Sequence, residues 1–122
     1  MKLSVSLSSD LPLYQQIYDS VAREILLGEL EPGAPLPPIR TLALELGVSV
    51  ISVKRAWEEL ERDGYILTAV GRGTVAASLT PGEIAEKRRA LLSLRLREVG
   101  AFCRSLRAAP EEICEILLHD IR

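Results

Sequence analysis

The stretch Ala43-Leu-Glu-Leu-Gly-Val-Ser-Val-Ile-Ser-Val53 decides the reading of this chain. A small residue, a glycine and then a β-branched residue stand at the spacing that two helices need when they pack steeply over a tight turn. Ala43 lets the second helix approach the first. Gly47 takes up the left-handed turn that other residues reach only at a cost. Ser49 is placed to cap the helix that follows, and Val53 is that helix's first inward residue. Val53, Ala56, Trp57 and Leu60 then form an inner stripe that runs to about Asp63, where Gly64 ends the helix. Trp57 is read as core.

On the N-terminal side, Leu36-Pro-Pro-Ile-Arg40 opens the preceding helix, with proline tolerated in the first turn and Leu42, Ala43 and Leu46 facing inward. Glu31-Pro-Gly-Ala-Pro35 is a turn. Before it, Pro12 stands at the first position of a helix in which Leu13, Ile17, Val21 and Ile25 recur at helical spacing, up to a stop at Gly28. Residues 1–10 are polar with alternating Leu3, Val5 and Leu7, consistent with a loose strand or an arm.

On the C-terminal side, Tyr65–Val70 and Thr74–Ala77 suit two short strands around Gly71-Arg72-Gly73, a hairpin with an arginine at its tip. Thr80-Pro-Gly-Glu83 has the form of a capping box and opens a long helix to about Ala108, with Ile84, Leu91, Leu94 or Leu92, Val99, Phe102 and Leu106 on one side. Ala109-Pro110 breaks it, and a last helix runs from Glu111 to Arg122. The fold class expected is mostly α with a small β-hairpin. A winged helix-turn-helix over residues 11–79 is followed by a C-terminal α-helical dimerisation segment over residues 80–122.

If the helix from Ser49 is a recognition helix, its first turn meets base edges and phosphates. Ser49 and Ser52 are short donors there. Lys54 and Arg55 reach phosphates or a guanine edge, and Val50 is an apolar residue suited to a thymine methyl. Arg40 at the start of the preceding helix, and Gly71 and Arg72 at the hairpin tip, complete the expected DNA-binding set.

Charge alone argues mildly against this reading. The 122 residues carry a formal net charge of −2, so a nucleic-acid site must rest on local placement of basic residues. Hydrophobic residues make up 48% of the chain, enough for a packed core, while aromatics at 4% make that core aliphatic. No run has the length of a bilayer span and the N-terminus lacks a signal-peptide layout, so a cytoplasmic protein with no membrane partner is expected. Cys103 and Cys114 do not form a disulfide framework and read as two small buried apolar residues. His119 lacks the companions a zinc site needs. Neither an enzymatic constellation nor a cofactor motif appears.

Several motifs, taken in order, resemble one family. Pro12-Leu-Tyr-Gln-Gln-Ile17, Gly28-Glu-Leu-Glu-Pro-Gly33, Leu36-Pro-Pro-Ile-Arg40, Leu46-Gly-Val-Ser49, Val53 through Gly64 and Gly71-Arg-Gly-Thr74 are similar to the DNA-binding domain of GntR-family transcriptional regulators. The short C-terminal part resembles the YtrA-like branch. The resemblance implies a bacterial, dimeric repressor that binds a palindromic double-stranded operator, often of a transporter operon, and pairs through two C-terminal helices. It implies DNA contact by Arg40, Ser49, Ser52, Lys54, Gly71 and Arg72. The chain departs from the family's common residues at Pro38, Val50 and Ile51. Two other readings stand beside this one: a winged-helix protein-interaction module without specific DNA binding, and a sensor whose C-terminal helices respond to an unidentified small molecule, a metal or an oxidant.

Overall fold

The computed structural model describes residues 3–122, and these fall into two compact units that meet between Pro81 and Gly82. The first holds α1 (Leu13–Leu26), α2 (Ile39–Leu46), α3 (Val50–Arg62) and an antiparallel hairpin of β1 (Ile66–Ala69) and β2 (Gly73–Ala76). The second holds α5 (Pro110–Ile121) and nearly all of α4 (Pro81–Ser105). The architecture is the expected one: helices with one small hairpin in winged helix-turn-helix order.

The core of the first unit follows the stripes of the sequence. Ile17, Tyr18, Val21, Ala22 and Ile25 of α1 are buried together with Val53, Ala56, Trp57 and Leu60 of α3. Leu42 and Ala43 of α2, and Tyr65, Ile66, Val75 and Ala76 of the hairpin, join them. Ile17, Val21, Val53 and Leu60 are the largest fully buried side chains. Each stabilises the fold by about 1.5–3 kcal/mol through removal of apolar surface from water. A polar link ties the end of α3 to α1. The Tyr18 hydroxyl donates to Asp63 Oδ2 at 2.5 Å, Arg62 Nε donates to Asp63 Oδ1 at 3.1 Å, and the Tyr18 and Tyr65 rings meet edge to face at 5.9 Å. The hydrogen bond to Asp63 raises the Arg62 guanidinium above its ordinary pKa.

The turn between α2 and α3 is built as the spacing requires. Gly47 sits at φ 69°, ψ 33°, its N–H bonded to the Leu44 carbonyl, and the Val48 N–H bonds to the Ala43 carbonyl at 3.0 Å. Ser49 caps α3, its Oγ accepting the Ser52 N–H at 3.2 Å.

Several boundaries differ from expectation: both strands and α5 by one residue at each end, and three helix ends as follows. Pro12 is the N-cap of α1, one residue earlier than the first-helical position expected for it. The prolines of Leu36-Pro-Pro precede α2, which begins at Ile39 with Pro38 as N-cap. The reason is tertiary. The Leu36 N–H bonds to the Thr74 carbonyl, Ala76 N–H to the Ala34 carbonyl and Gly33 N–H to the Ala76 carbonyl, so residues 33–36 lie along the outer edge of β2, with Pro35 bridged to Val75. The third boundary is the end of α4, at Ser105. Arg107 takes φ 56°, and the Ala108 N–H turns back to the Cys103 carbonyl.

Residues 3–10 make no strand; Met1 and Lys2 of the expected strand or arm lie outside the described residues. Gln16 pins the segment, its Oε1 accepting the Ser6 N–H at 2.8 Å and its Nε2 donating to the Ser6 carbonyl at 3.0 Å.

In the second unit neither α4 nor α5 buries a residue in the single chain. Val99, Phe102, Leu106, Ile116 and Ile121 are all exposed. Cys103 is half-buried and Cys114 exposed, so Cys114 is not the buried apolar residue expected of it.

Candidate nucleic-acid interface

The first turn of α3 projects from the core because the inner stripe begins only at Val53. Val50 is partly exposed and Ile51 is 78% exposed. Ser49 and Ser52 are already engaged with each other: besides the cap, their hydroxyl oxygens lie 3.0 Å apart. A hydroxyl both donates and accepts, so this pair retains capacity for an outside partner while holding the helix start.

Lys54 and Arg55 differ in their surroundings. Lys54 Nζ stands 4.0 Å from Glu58 Oε1, with both side chains about two-thirds exposed (64% and 67%), a loose surface pair. Arg55 is held more closely. Its Nε donates to Glu59 Oε2 at 3.1 Å, and its guanidinium lies over the Tyr14 ring, 3.7 Å from the centroid. The acidic residues farther along α3 are likewise taken up locally. Glu58 faces Lys54, Glu59 faces Arg55 and Arg62, and Glu61 accepts the Thr68 hydroxyl.

Arg40 is the second residue of α2 and is exposed. Among the described residues no ion pair or hydrogen bond engages its side chain, including with Glu45 or Glu58. Pro38 offers no side-chain cap, so the first-turn N–H groups of α2 face outward without a side-chain acceptor. Such a helix start favours an anion, and a guanidinium beside it adds to the attraction.

The hairpin tip is closed by the Arg72 N–H bonding to the Ala69 carbonyl at 3.0 Å, with Gly71 at φ 75° and Gly73 at φ 70°. A Cβ at either glycine would meet no atom within 4 Å, so the conformation and not space calls for glycine. Arg72 curls back, its Nη2 donating to the Gly33 carbonyl at 3.1 Å. Because residues 33–36 also pair with β2, that bond joins the hairpin tip to the segment leading into α2. The expected residues therefore lie on α2, α3 and the hairpin of one unit. Arg55 and Arg72 have partners within the chain that sequence reasoning missed. An i,i+4 Glu59 was the only visible signal for Arg55.

Among the described residues no cluster of His, Cys, Asp and Glu could hold a metal, and no helix is long and apolar enough to cross a membrane.

Comparison with known proteins gives this arrangement a context. Residues 13–75 match the family described as bacterial regulatory proteins, gntR family. The HTH-type transcriptional repressor YtrA of Bacillus subtilis is 32% identical over 91 residues, covering 75% of this chain and 70% of the relative. A probable rhizopine catabolism regulatory protein, MocR of Rhizobium meliloti, is 37% identical over 76 residues, but the match spans 62% of this chain and only 15% of that protein.

Among solved structures, a transcriptional antiterminator from Listeria monocytogenes superposes with a TM-score of 0.70 at 29% identity, covering 100% of this chain and 91% of the other. YtrA of Sulfolobus acidocaldarius, a GntR-family transcription factor, gives 0.60 at 34% identity, over 79% and 95%. The DNA-binding domain of AraR in complex with operator ORR3 gives 0.51 at 25% identity, over 63% and 93%. With the family's region matched across α1, α2, α3 and most of the hairpin, and with YtrA related along most of its length, this chain belongs to the GntR family of bacterial regulatory proteins.

Proposed function

We infer that this protein is a sequence-specific DNA-binding transcriptional regulator, a repressor acting as a homodimer on a palindromic double-stranded operator in the cytoplasm. Residues 11–79 form its DNA-binding domain and residues 80–122 its helical dimerisation segment. The observation that carries the reading is the outward first turn of α3, with Ser52 and Lys54 beside Val50 and Ile51, on the same unit as the uncapped start of α2 at Arg40.

In a docked complex α3 lies in the major groove, the start of α2 meets a phosphate, and Gly71-Arg72 at the hairpin tip reaches an adjacent groove or phosphate. Arg72 exchanges its bond to the Gly33 carbonyl for a charged acceptor, a stronger interaction. Arg55 serves mainly to hold α3 on α1. Exposed apolar faces on α4 and α5 support pairing with a second copy, and two half-sites about 34–36 Å apart, or a multiple, suit such a dimer. Repression is then steric, by occupancy of the promoter. The supporting similarity is to YtrA, named a repressor, and to the operator-bound AraR domain.

A gel shift with the promoter of the protein's own operon, repeated at rising salt, tests the reading. A shift that weakens steeply with salt supports it. No shift on that or neighbouring promoters, together with a stable hetero-complex in pull-down, overturns it in favour of a protein-interaction module.

A further inference from the structure

The centre of the outer face of α3, nearest its N-terminus, is occupied by an aliphatic side chain. Helical geometry places Ile51 almost opposite the buried stripe of Val53, Ala56 and Leu60, and the side chain is 78% exposed. Val50 beside it is partly exposed. Arg55, one turn on along the same outer face, is drawn onto Tyr14 and Glu59 and does not cover Ile51. The fold itself gives Ile51 little to pack against.

Resting on the DNA-binding reading above, we propose that Ile51 is a specificity-determining residue that reads the C5-methyl group of a thymine in the major groove of each half-site. A recognition helix meets base edges with its N-terminal residues, and Ile51 is the outermost of these. It can neither donate nor accept a hydrogen bond. Facing it with a guanine, cytosine or adenine edge would desolvate polar groups without replacing their partners. The thymine methyl is the one apolar group that the four unmodified base pairs present in that groove. Selection thus acts twice: the methyl is favoured by burial against Ile51, and polar edges are disfavoured by loss of water. Ser52 and Lys54 supply hydrogen bonds and charge around the apolar centre and do not compete for the same contact.

The test uses the full chain and a pool of random duplexes. Sequences enriched by binding are resynthesised with deoxyuridine in place of each thymidine in turn, which removes the methyl group and leaves the pairing intact. Fluorescence anisotropy then gives the affinity of each duplex. Loss of the critical methyl lowers affinity by about fourfold, the effect expected for one buried carbon. In the Ile51→Ser variant the same replacement changes nothing, while its melting temperature stays that of the wild type because Ile51 is not part of the core. Tight binding that is indifferent to every uridine replacement overturns this inference alone. So does an Ile51→Ser variant that keeps the wild-type preference for thymine. Failure to enrich any sequence overturns the DNA-binding reading and this inference with it.

Discussion

The guanidinium carbon of Arg55 lies over Tyr14, 3.7 Å from the ring centroid, and the side chain is held there by Glu59 at 3.1 Å. The contact spans α1 and α3, the two helices that share most of the core. Lys54, its neighbour in sequence, has only a loose partner in Glu58 at 4.0 Å. Adjacent basic residues thus have separate tasks, one within the fold and one outward.

Arg55→Ala therefore lowers stability by about 0.5–1 kcal/mol, the worth of an exposed cation–π contact with a helical ion pair. Lys54→Ala leaves stability within about 0.5 kcal/mol of wild type, as a surface change away from special features does. Urea denaturation followed by circular dichroism checks both. Equal losses in the two variants would remove the distinction drawn between them.

Gly47 is the second point of leverage. Its φ of 69° is left-handed, and a Cβ there would meet nothing within 4 Å. Gly47→Ala accordingly costs about 1–2 kcal/mol through backbone conformation alone. Gly47→Asn costs less, because asparagine tolerates this region. Melting temperatures of the two variants give the order, and an alanine variant as stable as wild type would contradict it.

Much of this was legible in the sequence, for a physical reason. Ala43, Gly47, Ser49 and Val53 act over a few residues, so their spacing specifies a turn, a cap and a packing face without help from distant chain. The stripes of α1 and α3 announce themselves by period. The pairing of residues 33–36 with β2 is different, since it links positions about 40 apart that carry no matching pattern, and it moved the start of α2 to Ile39. The bond from Arg72 to Gly33 follows from that same pairing. Arg55 over Tyr14 depends on how α1 and α3 cross, which periodicity does not give.

The C-terminal helices make a separate prediction. Val99 and Phe102 of α4, Leu106 just past its end, and Ile116 and Ile121 of α5 are exposed in the single chain. Placing a charge in a dimer interface there would strand it in an apolar surrounding. Phe102→Glu should shift the protein from dimer to monomer in sedimentation at micromolar concentration, with the circular dichroism of the N-terminal unit retained. It should also weaken operator binding about 100-fold or more, since the second half-site is no longer engaged as an intramolecular event. A variant that sediments as wild type would exclude this face of α4 from the interface.

The most direct test of the central claim is the dependence of operator affinity on salt, for wild type and for Lys54→Ala, at constant fold. Each phosphate contact contributes about one to the slope of log K against log salt. If the outward turn of α3 grips DNA through Lys54, the variant binds more weakly on all sequences and its slope falls by about one. An unchanged slope and an unchanged affinity, in a variant with wild-type stability, would contradict the claim that this face of α3 is the DNA-binding surface.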